Sequence, residues 1–265
     1  MKTSICNILL LTLGLSMLFS CEMNSEETLE TQMSSKKVLV VIKDRSGSIQ
    51  ERSSDKEEQR QWMKRYLHDH YEPETDLVLL YINSSSNSSI NSTRFNWKYS
   101  DEKPAEEYRS ETDQLLDESN KENNNRIQGK KLQSLLLKKL FDESSAAASN
   151  QTQILALIPQ LDRLTKSYHS VSILMISDMI EESSFRNFSS NPPTSKSNAE
   201  SMAVKDAQKI RTLFQLTNNP LSKVQSISVL VPARVNPESL TIVPYYFEQL
   251  FAEFGYKSAI SWSSL

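Results

Sequence analysis

Two carboxylates and three hydroxyls in this chain have the types and spacing to hold a metal ion. Asp44, Ser46 and Ser48 alternate in the run Asp44-Arg45-Ser46-Gly47-Ser48, so one loop offers one carboxylate and two hydroxyls. Gly47 permits the tight turn between them. Asp178 follows an apolar run at residues 171–176 and supplies the second carboxylate. Thr152 stands at the start of a helical stripe and adds the third hydroxyl. All five donors are hard oxygens, which suit Mg²⁺, Mn²⁺ or Ca²⁺ and not zinc. Mg²⁺ usually keeps waters and takes one or two carboxylates, so this donor set leaves a coordination position open.

The elements that must position these residues are legible from apolar periodicity. Residues 38–42, 77–82 and 171–176 are runs rich in Val, Ile and Leu, the pattern of strands buried on both faces, and residues 224–231 read as a further strand. Residues 93–100 alternate Phe95, Trp97 and Tyr99 with polar side chains, which predicts a half-exposed edge strand. Ser54 to Glu57 has capping-box spacing ahead of the stripe Trp62, Met63, Tyr66 and Leu67. A second stripe carries Leu132, Leu135, Leu136 and Leu140. A third opens at Thr152 with Ile154, Leu157, Ile158, Leu161 and Leu164. Asn198 is the expected cap of a helix with Ala203, Ala207, Ile210 and Phe214. Asn236-Pro237 starts a last helix, with Gly255 as its C-terminal cap, and residues 258–262 read as a short final strand. Residues 84–92 and 183–198 are Ser/Asn-rich loops. Residues 101–126 read as a solvated insertion with one short helix near Gln114.

Strands alternating with helices predict an α/β fold: a Rossmann-like, doubly wound, mostly parallel sheet with helices on both faces and one antiparallel edge strand. Ligands of such sheets bind outside the carboxyl ends of the strands, where Asp44 and Asp178 fall.

In motif and element order, residues 36–265 resemble the von Willebrand factor A domain. The metal-ion-dependent adhesion site of that family reads Asp-x-Ser-x-Ser after the first strand, then a Thr, then an Asp after the fourth strand. Asp44, Ser46 and Ser48 match the first element, and Asp178 matches the last. Thr152 fits the middle position, with Ser149 as the substitute. The resemblance implies Mg²⁺ (or Mn²⁺ or Ca²⁺) held directly by Ser46 and Ser48, with Asp44, Thr152 and Asp178 direct or through water. It also implies a protein partner whose acidic side chain fills the open position, in adhesion or in complex assembly, and no catalysis.

The first residues point to export. One Lys precedes an apolar stretch at residues 8–19, too short for a membrane span of roughly 20 residues and matched to a secretory leader. Leu18-Phe19-Ser20-Cys21 resembles the bacterial lipobox, which implies lipidation of Cys21. The expected organisation is a signal peptide at 1–20, a flexible tether at 21–35, and one domain at 36–265. Contact with membrane would be through the lipid alone. Glu22 is not the Asp that retains such proteins at the inner membrane in the enterobacterial rule, so the expected place is the cell envelope, at the outer membrane.

A net charge of -3 and a pI near 5.8 lack the basic field of a nucleic-acid binder. Two cysteines, one lost with the leader, exclude a disulfide scaffold. Two other readings compete. A strand-end Asp44 suits a Mg²⁺-dependent phosphotransferase of the haloacid-dehalogenase type, but the second Asp such an enzyme needs is here Ser46. A periplasmic solute-binding protein needs two lobes, and the strands suffice for one sheet. His68 and His70, two apart, do not share a helix face and read as a solvated helix end. Residues 183–198 leave the same rim as Asp178, either as a lid that shapes specificity or as an insertion without structure.

Overall fold

A computed structural model describes residues 36–45, 53–82, 92–99, 110–141, 151–216, 218–232 and 239–265. Six strands form one sheet: β1 (Lys37–Asp44), β2 (Thr75–Ile82), β3 (Ser92–Phe95), β4 (Ser170–Ile176), β5 (Val224–Val231) and β6 (Ser261–Ser264). The helices are α1 (Ser53–His70), α2 (Glu111–Leu140), α3 (Ile158–Ser167), α4 (Lys196–Phe214) and α5 (Ser239–Glu253), with a 3-10 turn at Leu155–Leu157.

The sheet runs β3-β2-β1-β4-β5-β6. Every neighbouring pair is parallel except β2 with β3, where Leu77 faces Phe95 and Leu80 faces Ser92. The chain therefore winds outward from β1 in one direction and from β4 in the other. Their junction is the topological switch point, outside which ligands of such sheets bind.

The continuous apolar runs are explained by burial on both faces. Val38, Val40 and Ile42 of β1 join Val171, Ile173 and Met175 of β4 in a core closed by α3, α4 and α5. Leu39 and Val41 face the other way, against Met63, Tyr66 and Leu67 of α1 and Leu132, Leu136 and Leu140 of α2. The first core holds a tight aromatic cluster. Tyr246, Phe247 and Phe188 meet edge to face, with ring centroids 4.9–6.2 Å apart, the geometry that aromatic quadrupoles favour.

Several expectations need correction. The insertion at 101–126 is not mostly loop: α2 starts at Glu111 and continues unbroken to Leu140. The described side chains of residues 112–124 are exposed, so no apolar stripe announces the first half. Glu, Gln, Leu and Lys are strong helix formers, and the packed second half supplies the nucleus from which they propagate. Leu135, counted in the stripe, is exposed.

The edge strand ends at Phe95, short of the expected Ser100. Trp97 leaves the ladder and is buried; its backbone N–H donates to Asp76 Oδ1 at 2.6 Å. Ser54 lies inside α1, and its hydroxyl donates to Asp55. Ser195, not Asn198, caps α4, its side chain accepting from Asn198 N at 3.2 Å. Gly255 closes the last helix as expected, at φ +95°, a conformation only glycine adopts without strain. The final strand is shifted to Ser261–Ser264.

The loop at 183–198 is built into the fold. Glu182 bridges to Asn187, and Phe188 is buried against α5. Arg186 forks onto Asp206 of α4, Nε to Oδ2 and Nη2 to Oδ1, both at 2.8 Å. The Tyr246 hydroxyl donates to the same Asp206 at 2.8 Å.

No helix among the described residues is long and apolar enough to cross a membrane. The leader, Cys21 and the tether lie outside the described residues, as does the loop at 84–91.

Candidate metal centre

Asp44 is the last residue of β1 and is buried. Parallel pairing sets Lys43 beside Ile176, so the exit of β4 runs alongside Asp44. There the Ser177 hydroxyl donates to Asp44 Oδ2 at 2.8 Å and accepts from Met179 N at 2.9 Å. Asp178 lies between those two residues and is buried; its Oδ1 accepts from Ile180 N at 3.0 Å. Met179 turns the chain at φ 58°, in the left-handed region. Residues other than glycine are uncommon there, and the two side chain-to-backbone bonds around Met179 hold the turn.

Thr152 comes to this rim by a different route. It precedes the 3-10 turn and does not start the α-helix. Pro159 in the first turn of α3 fixes the helix start, since proline has no N–H to lose there. The Thr152 carbonyl accepts from Glu182 N at 2.8 Å, which ties the segment to the loop after β4. Thr152 is fully buried, and Oγ1 has no hydrogen-bond partner.

Buried polar atoms are nearly always paired. Among the described residues, Gln59, Thr152, Glu181 and Arg211 carry exceptions. Two of these, Thr152 and Glu181, stand on the segments joined here. A buried, unpaired hydroxyl at this rim fits the donor set expected for a cation.

Glu181 was not singled out in the sequence. Its carboxylate Oε2 accepts from Ile154 N at 2.7 Å and Leu155 N at 3.0 Å. Burial pushes its pKa up to about 7, and the charge of Asp44 adds to the rise; a hydrogen bond from the Ser183 side chain and the two N–H donors pull in the opposite direction. The only signal for it was an acid three residues beyond Asp178, next to Glu182, which no periodicity rule selects.

The structure thus sets Asp44 at the end of β1 and Asp178 in the turn after β4, and ties the Thr152 segment to the loop that follows. Ser46, Ser48 and the substitute Ser149 lie outside the described residues. No group of three or more His, Cys, Asp or Glu among the described residues is arranged to hold a metal by itself. The remaining donors would have to be hydroxyls. His68 and His70 do not converge: the first contacts Asp69 at 2.8 Å, and the second stacks on Tyr66.

The strand order and the antiparallel edge strand β3 meet the fold that the resemblance implied. The domain has a von Willebrand factor A-like fold.

No family model matches the chain, and no curated protein does. Among solved structures, the von Willebrand factor A-like chain is similar to the SpRpn10 VWA domain, at 9% identity and TM-score 0.36, covering 87% of this chain and 88% of that one. It is similar to the pilus adhesin SpaC from Lactobacillus rhamnosus GG in its open conformation, at 9% identity and TM-score 0.33, covering 56% of this chain and 15% of the adhesin. The human COPII-coat protein Sec24c aligns at 8% identity and TM-score 0.40, covering 87% of this chain and 29% of the coat protein. The chain thus spans a small part of the adhesin and the coat protein. The fold stands on the chain's own strand order and pairing.

Proposed function

We propose that this chain is a cell-envelope lipoprotein, anchored through Cys21 at the outer membrane, whose von Willebrand factor A-like domain binds a protein partner through a divalent cation. The cation is Mg²⁺, with Mn²⁺ or Ca²⁺ as substitutes, and its ligands are Asp44, Ser46, Ser48, Thr152 and Asp178. The carrying observation is the buried, unpaired Thr152 hydroxyl on a segment bonded to the loop after β4, where Asp44 ends β1 and Asp178 follows β4.

The bound cation supplies a Lewis-acid position for an acidic side chain of the partner. The chain's own residues do the rest. Asp44 supplies negative charge from a buried strand end, where it acts at low effective dielectric. The Ser177 hydroxyl fixes which way that carboxylate faces. Asp178, turned by its bond from Ile180 N, supplies the second charge. With hydroxyls and waters taking most of the direct positions, the few direct carboxylates would leave the ion electrophilic towards the partner's acid.

The test is calorimetric titration of Mg²⁺ and Mn²⁺ into the purified chain beside Asp44→Ala. Binding by wild type and none by the variant supports the site, and capture of a partner is then compared with and without chelator. Equal binding by the two proteins would falsify it.

A further inference from the structure

The segment that carries Thr152 is held by two consecutive residues of the loop after β4. Glu182 N donates to the Thr152 carbonyl at 2.8 Å. Glu181 Oε2 accepts from Ile154 N and Leu155 N at 2.7 and 3.0 Å. These buried N–H groups are the donors that the 3-10 turn leaves without a partner of its own, since its N-cap, Ile154, offers no side-chain bond. A Ser or Asp beside the turn would satisfy them at little cost. Here the acceptor comes instead from 26 and 27 residues away, as a fully buried carboxylate. Burying a carboxylate is unfavourable unless its bonds are good ones. The bonds it makes fix the Thr152 segment against the exit of β4, where Asp178 stands.

We infer that Glu181 is a positioning residue for the cation site: its clamp on Ile154 and Leu155 holds Thr152 where the hydroxyl Oγ1 stays unpaired and serves the cation. This rests on the metal reading above. Glu181 is not itself a ligand; it acts through Thr152, as partners of metal ligands do when they fix a ligand's orientation.

The experiment is Mn²⁺ titration of the purified chain, comparing wild type with Asp44→Ala, Thr152→Ala, Glu181→Ala, Glu181→Gln and the double variant Thr152→Ala/Glu181→Ala. Loss of the clamp should weaken Mn²⁺ binding about 10–100-fold in Glu181→Ala. Glu181→Gln keeps a carbonyl oxygen for both N–H groups and should bind within about threefold of wild type. The double variant should bind no more weakly than Thr152→Ala, since Glu181 has nothing left to position. If Glu181→Ala does not fold, Glu181→Asp takes its place: it keeps the charge, loses one methylene of reach, and should lose affinity where Gln does not. Mn²⁺ bound by wild type, lost in Asp44→Ala and kept in Glu181→Ala overturns the positioning role alone. Additive losses in the double variant do the same. A wild type that binds no Mn²⁺ overturns the metal reading, and the positioning role with it.

Discussion

Ser177 and Asp44 lie 133 residues apart in sequence and share a hydrogen bond of 2.8 Å between hydroxyl and carboxylate. The bond joins the ends of the two central strands. Because Ser177 Oγ also accepts from Met179 N, one hydroxyl orients Asp44 and sets the turn that carries Asp178.

Ser177→Ala removes both bonds. The buried Met179 N–H is left without its acceptor, which should cost about 1–3 kcal/mol of stability. Urea unfolding of the metal-free chain reads this directly. A midpoint within error of wild type would mean the bond organises nothing.

The pH dependence of stability carries the signature of Glu181. Its pKa in the folded chain is about 7, above the ordinary 4.5. The folded state therefore keeps a proton that the unfolded chain releases between those values. The contribution is fully present below pH 4.5, is lost as pH rises, and levels off above about 7. The total change is about 3–4 kcal/mol at most, since each of the roughly 2.5 pH units between 4.5 and 7 is worth about 1.36 kcal/mol. Denaturant unfolding in chelator from about pH 4 to 8 should show wild type losing stability relative to Glu181→Gln across this window. Parallel curves would refute the assignment.

Asp206 binds the Arg186 guanidinium through both oxygens and takes the Tyr246 hydroxyl as well. Asp206→Ala leaves a mostly buried cation and a buried phenol without their acceptor, and should cost about 3–5 kcal/mol. Proteolysis after Arg186 under native conditions should speed up at the same time. Protection equal to wild type would show that the loop is held by Phe188 alone.

Two apolar truncations should differ sharply. Phe247 is fully buried between Phe188, Tyr246 and Phe251, so Phe247→Ala should cost about 3–5 kcal/mol. Leu115 on the first half of α2 is exposed, and Leu115→Ala should stay within about 0.5 kcal/mol. A large loss at Leu115 would reveal a partner surface on α2 in the protein under assay.

A bound cation should stabilise the folded chain by mass action, about 2.7 kcal/mol at a hundredfold excess over the dissociation constant. Chelator should lower the melting temperature of wild type and leave Asp44→Ala unmoved. A shift of equal size in both would place any bound metal elsewhere.

Local pattern was enough for the class of the fold and for the rim where its ligands could enter. Apolar runs at 38–42, 77–82 and 171–176 require strands covered on both faces, and the Val-rich segment 224–231 adds a fourth strand. Helical stripes between them require parallel crossovers, and a strand followed by Asp fixes a carboxylate at the carboxyl rim. Asp44 and Asp178 needed nothing more. Long-range packing settled what local pattern does not encode. The first half of α2 is helical by propagation from packed neighbours, with no stripe to show it. Trp97 left its strand because Asp76 offered its backbone an acceptor in the core. Thr152 was legible as a hydroxyl but not as an unpaired one, since that depends on which groups surround it after folding. Glu181 was the least legible of all. Its role lies in two hydrogen bonds spanning 26 and 27 residues, and a side chain's burial and distant partners are fixed only when the sheet brings β4 and the Thr152 segment together.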